Sequence, residues 1–307
     1  RMGRTLPKDL GGYGGRRGPH PLPVCGAPTA LGSGLPRRAV CGKVWGMDTG
    51  LQDQCVLITG ASGGIGLPTA EAFAAEGARL VLHGHRHMEP LHALRSRLSV
   101  PSVVLCADLR DETQVERLFA DALQFAPRID VVVANAGAWV KDAIPLHEMT
   151  HAQWDETLAA DLTSVFLTCR AFLRHLAATP RASAALVLVG STAAIFGEAD
   201  HADYAAAKAA VTYGLMLSLK NEIVRLAPRG RVNAVCPGWT RTASAADQLA
   251  GSDVLRRVQA TIALNKIATP QDVAAAIVFL ASERLAGHIS GVVLPVAGGM
   301  EGRLLHP

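Results

Sequence analysis

From residue 55 onward, short Val- and Leu-rich runs alternate with stretches of helical length, and this alternation constrains the fold more than any other feature of the chain. The runs are CVLIT, RLVLH, SVVLC, DVVVA, ALVLV, RVNAV and GVVLP. Most are continuously apolar, the pattern of strands buried on both faces. Between most of them lie segments 64–76, 88–98, 111–124, 151–176, 203–226 and 270–282, in which apolar residues recur at helical spacing. A strand that returns parallel to its predecessor needs a crossover of helix length. The expected fold is therefore α/β: a doubly wound, seven-stranded parallel sheet with helices on both faces, forming a single domain over residues 47–307. No internal repeat and no second core is visible.

Residues 1–46 follow another rule. They are rich in Gly, Pro and Arg and lack hydrophobic periodicity, so they cannot bury enough apolar surface to offset the entropy of ordering. They are expected to be a disordered extension, with Met47 a natural start for the folded part. The segment carries eight Lys/Arg and one acid, a net +7; the whole chain is +4, which leaves −3 on residues 47–307. The basic character thus belongs to the extension and gives no reason to expect a nucleic-acid partner for the domain. The extension has no continuous apolar core of the secretory kind, and no run in the chain approaches the roughly 18 apolar residues of a membrane span. The six cysteines show no CxxC pairing, which suits a reducing, cytoplasmic setting. Cys55, Cys106 and Cys236 fall in or beside strand runs, where a thiol is expected to act as a small hydrophobe.

Directly after the first strand comes Thr59-Gly60-Ala61-Ser62-Gly63-Gly64-Ile65-Gly66, followed by a helix. Glycines in such a turn let the backbone approach a pyrophosphate, and the N–H groups at the helix start attract its charge. A strand–turn–helix of this kind at the start of a domain points to a Rossmann dinucleotide site. Pro68 is tolerated in the first helical turn. The stretch also matches the GxSxG nucleophile elbow formally, but that site needs an oxyanion loop from an earlier strand, and only the extension precedes this one. Asp108, with Leu109, follows the third strand where an adenine would lie; capping the next helix is the alternative role for Asp108. The second strand ends in His83-Gly84-His85-Arg86 without an acid. An acid there would bind the ribose hydroxyls of NAD, whereas a basic residue accommodates the extra phosphate of NADP. Arg86 is thus the candidate for an NADP(H) preference over NAD(H), with a plain solvated arginine as the alternative.

Tyr204 and Lys208 stand four residues apart, which puts them one turn from each other on one helix face. A phenol with a pKa of about 10 is a poor acid or base near neutrality. A neighbouring ammonium favours the phenolate and is expected to lower that pKa. Ser191, at the end of the fifth strand, is placed to hydrogen-bond a substrate carbonyl oxygen.

Taken together, these features resemble the short-chain dehydrogenase/reductase family over roughly residues 51–300. The elements occur in order: TGASGGIG, Asp108, Asn135-Ala136-Gly137 after the fourth strand, Ser191, Tyr204-Ala-Ala-Ala-Lys208, then Pro237-Gly238 and Thr242 after the sixth. The surroundings of YAAAK and PGWTRT look similar to 3-oxoacyl-(acyl carrier protein) reductases and related bacterial carbonyl reductases. The resemblance implies ketone–alcohol interconversion by hydride transfer. Tyr204 would be the acid/base, Lys208 would hold the nicotinamide ribose and tune the phenol, and Ser191 would orient the carbonyl. Gly60, Ser62, Gly64, Ile65 and Gly66 would cradle the phosphates. Asn135, Ala136 and Gly137 would support the cofactor edge, and Pro237, Gly238 and Thr242 would meet the nicotinamide end. It also implies a homotetramer, with the helices 151–176 and 203–226 pairing between subunits and the ending AGGMEGRLLHP reaching a neighbour.

One departure stands out. Where the family often carries Asn, the segment Trp154-Asp155-Glu156-Thr157-Leu158-Ala159-Ala160-Asp161-Leu162 has Asp161. Helical spacing with Trp154, Leu158 and Val165 points it inward. A carboxylate there is expected to join the catalytic group, neutralise Lys208 in part and raise the Tyr204 pKa; bonding to backbone alone is the alternative. A protein of this fold that senses or scaffolds the cofactor without turnover is the rival to the enzyme, with Asp161 as its support. Trp139, Trp239 and segment 243–262 are placed for the substrate, and two indoles suit an apolar or ring-bearing one, although packing of the loop alone also accounts for them.

Overall fold

The structure, a computed structural model, describes residues 48–139, 142–243, 245–246 and 251–300, all within the unit that runs from Met47 to Pro307. The expectations for the extension, for Met47 and for the last seven residues of the chain lie outside the described residues. The seven expected strands all form: β1 (Cys55–Ile58), β2 (Arg79–Gly84), β3 (Ser102–Cys106), β4 (Val131–Ala134), β5 (Ala185–Val189), β6 (Arg231–Pro237) and β7 (Val293–Val296). They make one sheet of order β3-β2-β1-β4-β5-β6-β7, and every pairing is parallel.

The continuous apolar runs have the cause anticipated from sequence. Along β1, Cys55 and Leu57 enter one core while Val56 and Ile58 enter the other, and β4 divides Val132 and Ala134 from Val131 and Val133 in the same way. Neither face of the central sheet meets water, so neither has room for polar alternation. On one side lie α3 (Glu112–Phe125), α5 (Ser164–Ala178) and α8 (Met216–Glu222), contributing Phe119, Phe172 and Met216. On the other lie α1 (Gly66–Ala75), α2 (Glu89–Arg95) and α10 (Pro270–Ala281), contributing Phe73, Leu91 and Ile277. Each fully buried Phe or Leu side chain contributes about 1.5–3 kcal/mol.

Local chemistry sets the helix ends. Asp111 begins α3 by accepting from Gln114 N at 3.1 Å. Thr150 begins α4 (His151–Leu158) by accepting from Gln153 N at 3.2 Å. A reciprocal capping box between Thr269 and Asp272, with Pro270 next to it, opens α10. At the far end of α10, Arg231 of β6 is buried and donates to the carbonyls of Leu280, Ala281 and Ala286 at 2.6–3.1 Å. A cation there satisfies orphan carbonyls at the negative end of the helix.

Two long helices are not continuous α-helix. The expected helix 151–176 is α4, a π-helical turn at Ala159–Thr163, then α5. The expected helix 203–226 is α7 (Ala202–Ala209), a π segment at Ala210–Leu215, α8, and a 3₁₀ turn at Ile223–Arg225. The first π turn carries Asp161, and the second begins two residues after Lys208. The described residues also form two short helices, α6 (Ala193–Phe196) and α11 (Glu283–Ala286), and α9 (Ser252–Ala260). Cys106 departs from expectation: at the end of edge strand β3 it is exposed, whereas Cys55 and Cys236 are buried. No described helix is long and apolar enough to cross a membrane.

Candidate active site

Strand order reverses between β1 and β4, because β1 connects outward to β2 while the chain returns from β3 to β4 on the other side. The crevice at the carboxyl ends of such strands is where an open α/β sheet can admit a ligand. A cavity of about 780 Å³ lies there. Its walls include the glycine turn, Arg86, Asp108, Asn135, Ser191, Tyr204 and Lys208.

The glycine turn is held from three directions. Gly60 has φ +60°, and a Cβ on it would lie 2.8 Å from Ala136 Cα. A Cβ on Gly66 would lie 2.3 Å from Gly60 O, so the turn and the start of α1 close together only without side chains. Helix α1 therefore starts at Gly66, later than the spacing predicts, and the turn occupies the intervening residues. Asn135 Nδ2 donates to Thr59 O and Gly60 O, each at 3.0 Å. The Thr59 hydroxyl accepts from Asn135 N and Ala136 N, both at 3.0 Å, and ties β1 to β4. Thr242 packs over Gly64, where a Cβ would come within 2.6 Å of it. Ser62, Gly64 and Ile65 line the cavity here, with Gly66 behind them at the start of α1, the positive end of the helix dipole, which favours an anion.

His83 completes this support, and sequence reasoning missed it by choosing Arg86 from the same tetrapeptide. Its Nδ1 accepts from Gly60 N at 3.1 Å and its Nε2 contacts Ala107 O at 3.0 Å, which makes the Nε2–H tautomer the consistent one. Burial depresses its pKa to about 4, so the ring is neutral in the folded protein. Between pH 6.5 and 4 the unfolded chain takes up a proton that the folded chain refuses, so stability falls as pH falls through that window. The size is on the order of 3 kcal/mol. Urea midpoints for wild type and His83→Gln, compared at pH 7 and pH 4.5, should show a smaller acid loss in the variant; equal losses would assign the lability elsewhere.

At the opposite end of the cavity, Asp108 is not a helix cap, since Asp111 fills that role. Its carboxylate is instead clamped by Arg110, with Nε at 3.0 and 3.1 Å and a terminal nitrogen at 2.7 Å, and this hydrogen bonding pulls its pKa to about 2. Leu109 is buried beneath. Arg86 is exposed on the rim with His85 and His87, and all three line the cavity together with Arg110. Arg110 is a second guanidinium that inspection of the glycine turn alone does not find.

At the inner end, α7 brings Tyr204 and Lys208 together. Asp203 anchors the first turn of this helix: it is buried, accepts from Thr157 Oγ1 at 2.7 Å, and accepts from Tyr204 N at 2.8 Å. Lys208 Nζ lies 5.6 Å from the centre of the Tyr204 ring, and Ser191, whose hydroxyl accepts from Ala193 N at 3.1 Å, lines the same cavity as the phenol. Asp161 is wholly buried, with Oδ1 3.1 Å from Lys208 Nζ, and its carboxylate also accepts from Ala138 N at 3.2 and 3.3 Å. Asp161 thus pairs with Lys208 and also bonds the backbone, so it does not serve the backbone alone. A Cβ on Gly137 would lie 2.5 Å from Asp161 Oδ1 and 2.9 Å from Lys208 Nζ, so that glycine makes room for the ion pair. Pro237 ends β6; Thr192 N donates to its carbonyl at 2.9 Å, and Gly238 N donates to Val296 O at 3.1 Å.

The expected depression of the Tyr204 pKa does not survive as a net effect. Burial pushes the phenol up, Lys208 pulls it down, Asp161 pushes it up again and Ser191 pulls it down; the sum lies above the ordinary value. Burial likewise pushes Lys208 down, but Asp161 and then Tyr204 more than offset this and hold the ammonium above its ordinary range.

The profile of the family described as Enoyl-(Acyl carrier protein) reductase matches residues 60–301. The chain belongs to the short-chain dehydrogenase/reductase family. It is 35% identical over 256 residues to cis-4-hydroxycyclohexanecarboxylate dehydrogenase of Sinomonas cyclohexanicum, covering 82% of this chain and 98% of that one. It is 32% identical over 256 residues to 3-oxoacyl-[acyl-carrier-protein] reductase of Synechocystis sp., at 82% and 98% coverage. A solved structure from Sinorhizobium meliloti 1021, of a chain assigned by its description to the short-chain alcohol dehydrogenases, superposes with a TM-score of 0.74 at 29% identity, covering 81% of this chain and 96% of that chain. As a member of this family the chain is a dehydrogenase or reductase of alcohol and ketone groups.

Proposed function

We propose that this chain is an NADP(H)-dependent oxidoreductase that interconverts a ketone and a secondary alcohol, with Tyr204 as acid/base. The observation that carries the reading is one cavity with a glycine turn and basic rim at one end and the Ser191–Tyr204–Lys208 group at the other. The donor set fits a dinucleotide. Gly60, Ser62, Gly64, Ile65 and Gly66 would hold the pyrophosphate against the start of α1. Asp108, Leu109 and the Asn135–Gly137 segment would meet the adenosine half and the cofactor's inner edge, and Pro237, Gly238 and Thr242 the nicotinamide end.

A bound nicotinamide supplies the hydride in reduction and accepts it in oxidation. Ser191 Oγ donates to the substrate oxygen and fixes its position. Tyr204 Oη gives its proton to that oxygen as negative charge develops on it, and takes the proton back when an alcohol is oxidised. Lys208 would hold the nicotinamide ribose and stabilise the phenolate. Asp161 restrains Lys208 and opposes that stabilisation.

Arg86 and Arg110, with His85 and His87 and no acid at the end of β2, support the NADP(H) preference. Arg86→Ala should raise KM for NADPH about tenfold, the worth of one charge-assisted contact, and move KM for NADH far less. Equal changes for both cofactors would remove the preference from Arg86. Assembly as a homo-oligomer, a tetramer, is part of the same reading. Phe166, Tyr213, Leu217 and Val224, on or beside α5 and α8, are 37–44% exposed and form the apolar face such pairing would cover.

A further inference from the structure

We propose that the part of the cavity bounded by Trp139, Trp239 and Glu198 selects uncharged ring ketones and their alcohols, and turns away substrates with a negative charge close to the ring. The proposal rests on the ketone–alcohol reading and adds a substrate class to it. Trp139 and Trp239 both line the cavity that holds Ser191 and Tyr204. Their ring centres are 6.3 Å apart and their planes meet at 71°, which makes an apolar corner rather than a stack.

Each indole is fixed from behind. Trp139 stacks on the buried His201 ring at 4.9 Å and 22°, and donates Nε1 to Glu198 Oε1 at 3.2 Å. Trp239 packs against the small core of Val258, Ile262 and Ile267, with Met300 beside it. Walls held this way lose little freedom when a ligand docks, so their contact area converts into affinity. A compact ring can touch both planes at once, whereas a linear acyl chain presents less surface to either.

Glu198 gives the corner its sign. It lines the same cavity and is partly buried, with Oε1 contacted by Trp139 and, at 3.7 Å, by His201 Nδ1. Among the described lining residues, the cations Arg86 and Arg110 stand at the adenine end with Asp108, and Lys208 is paired with Asp161. None of these is placed to offset a carboxylate brought next to Glu198; burial pushes the Glu198 carboxyl up while His201 and the Trp139 bond pull it back, and the ionised form repels a second carboxylate strongly in a partly desolvated site.

The test measures kcat/KM with NADPH for 4-methylcyclohexanone, 4-oxocyclohexanecarboxylate and an uncharged acyclic β-ketoacyl thioester. The neutral ring ketone should exceed each of the others by about tenfold or more. Trp139→Ala and Trp239→Ala should each lower the ring ketone about tenfold, mainly through KM, and the thioester less; Trp139→Phe, which keeps a wall, should lose less than Trp139→Ala. Glu198→Gln should narrow the ratio of neutral to carboxylate ring ketone about tenfold. A thioester turned over as well as the ring ketone, or a ratio unmoved by Glu198→Gln, overturns the proposal while leaving Tyr204-dependent ketone reduction intact. Failure of the wild type to reduce any carbonyl would overturn the parent reading and this proposal together.

Discussion

Tyr204→Phe should lower kcat for ketone reduction by about 10³-fold while NADPH still binds, as followed by quenching of the cofactor's fluorescence. The substitution removes one oxygen from a ring whose position is set by α7, so the cavity keeps its shape. On the proposed reading, what is lost is the proton donor at the substrate oxygen. Positioned proton transfer is worth about 10²–10⁴ in rate, and here the same atom also meets the developing charge. Ser191 and Lys208 remain, yet neither can replace it: the hydroxyl lacks an adjacent base, and the ammonium is engaged by Asp161 at 3.1 Å. A loss below tenfold, with cofactor binding intact, would move the acid/base role to another group.

The second large effect concerns Asp161. Asp161→Leu should destabilise the protein by about 3–5 kcal/mol, because it leaves the Lys208 ammonium buried without its counter-charge and Ala138 N without its acceptor. The loss would be read from urea unfolding. Asp161→Asn should cost much less, since the amide oxygen can still accept from Lys208 or Ala138. Its signature is a pH shift. The groups acting on the phenol are Lys208 and Ser191, which lower its pKa, and Asp161 and Glu198, which raise it, with burial as the largest influence. Removing the Asp161 charge removes one of the raising influences, so the ionisation of Tyr204 should move toward acid. Activity in alcohol oxidation, which needs the phenolate, should then rise at lower pH in the Asn variant than in wild type. Coincident profiles would mean that Asp161 acts on the phenol no more than an amide does.

The sheet was legible because its signal is local and repeated. CVLI, VVVA and ALVLV can only be buried on both faces, and helix-length connections leave parallel pairing as the solution. The glycine turn and the Tyr204–Lys208 spacing were legible for a similar reason, since their geometry lies within eight consecutive residues or fewer. What sequence did not reveal depends on partners far along the chain. His83 matters through Gly60 and Ala107, 23 and 24 residues away. Arg231 matters through carbonyls 49–55 residues later. Glu198 gains its place from Trp139, 59 residues earlier.

The π-helical turns were illegible too, because apolar spacing reports a period and not a single inserted residue. Their position has a physical sense, as a wider turn at Asp161 lies where its carboxylate meets Lys208 across two helices. The sign of the Tyr204 shift was misjudged because a spacing argument counts the neighbouring ammonium and not the desolvation around it.

The central claim is that the proton moved in the reaction resides on Tyr204. The most direct measurement is the pH dependence of kcat/KM for alcohol oxidation with NADP⁺, recorded for wild type and for the residual activity of Tyr204→Phe. The account predicts that wild-type activity rises with pH through a single ionisation and that this rise is absent in the Phe variant. The same rise, at the same pH, in both proteins would contradict it.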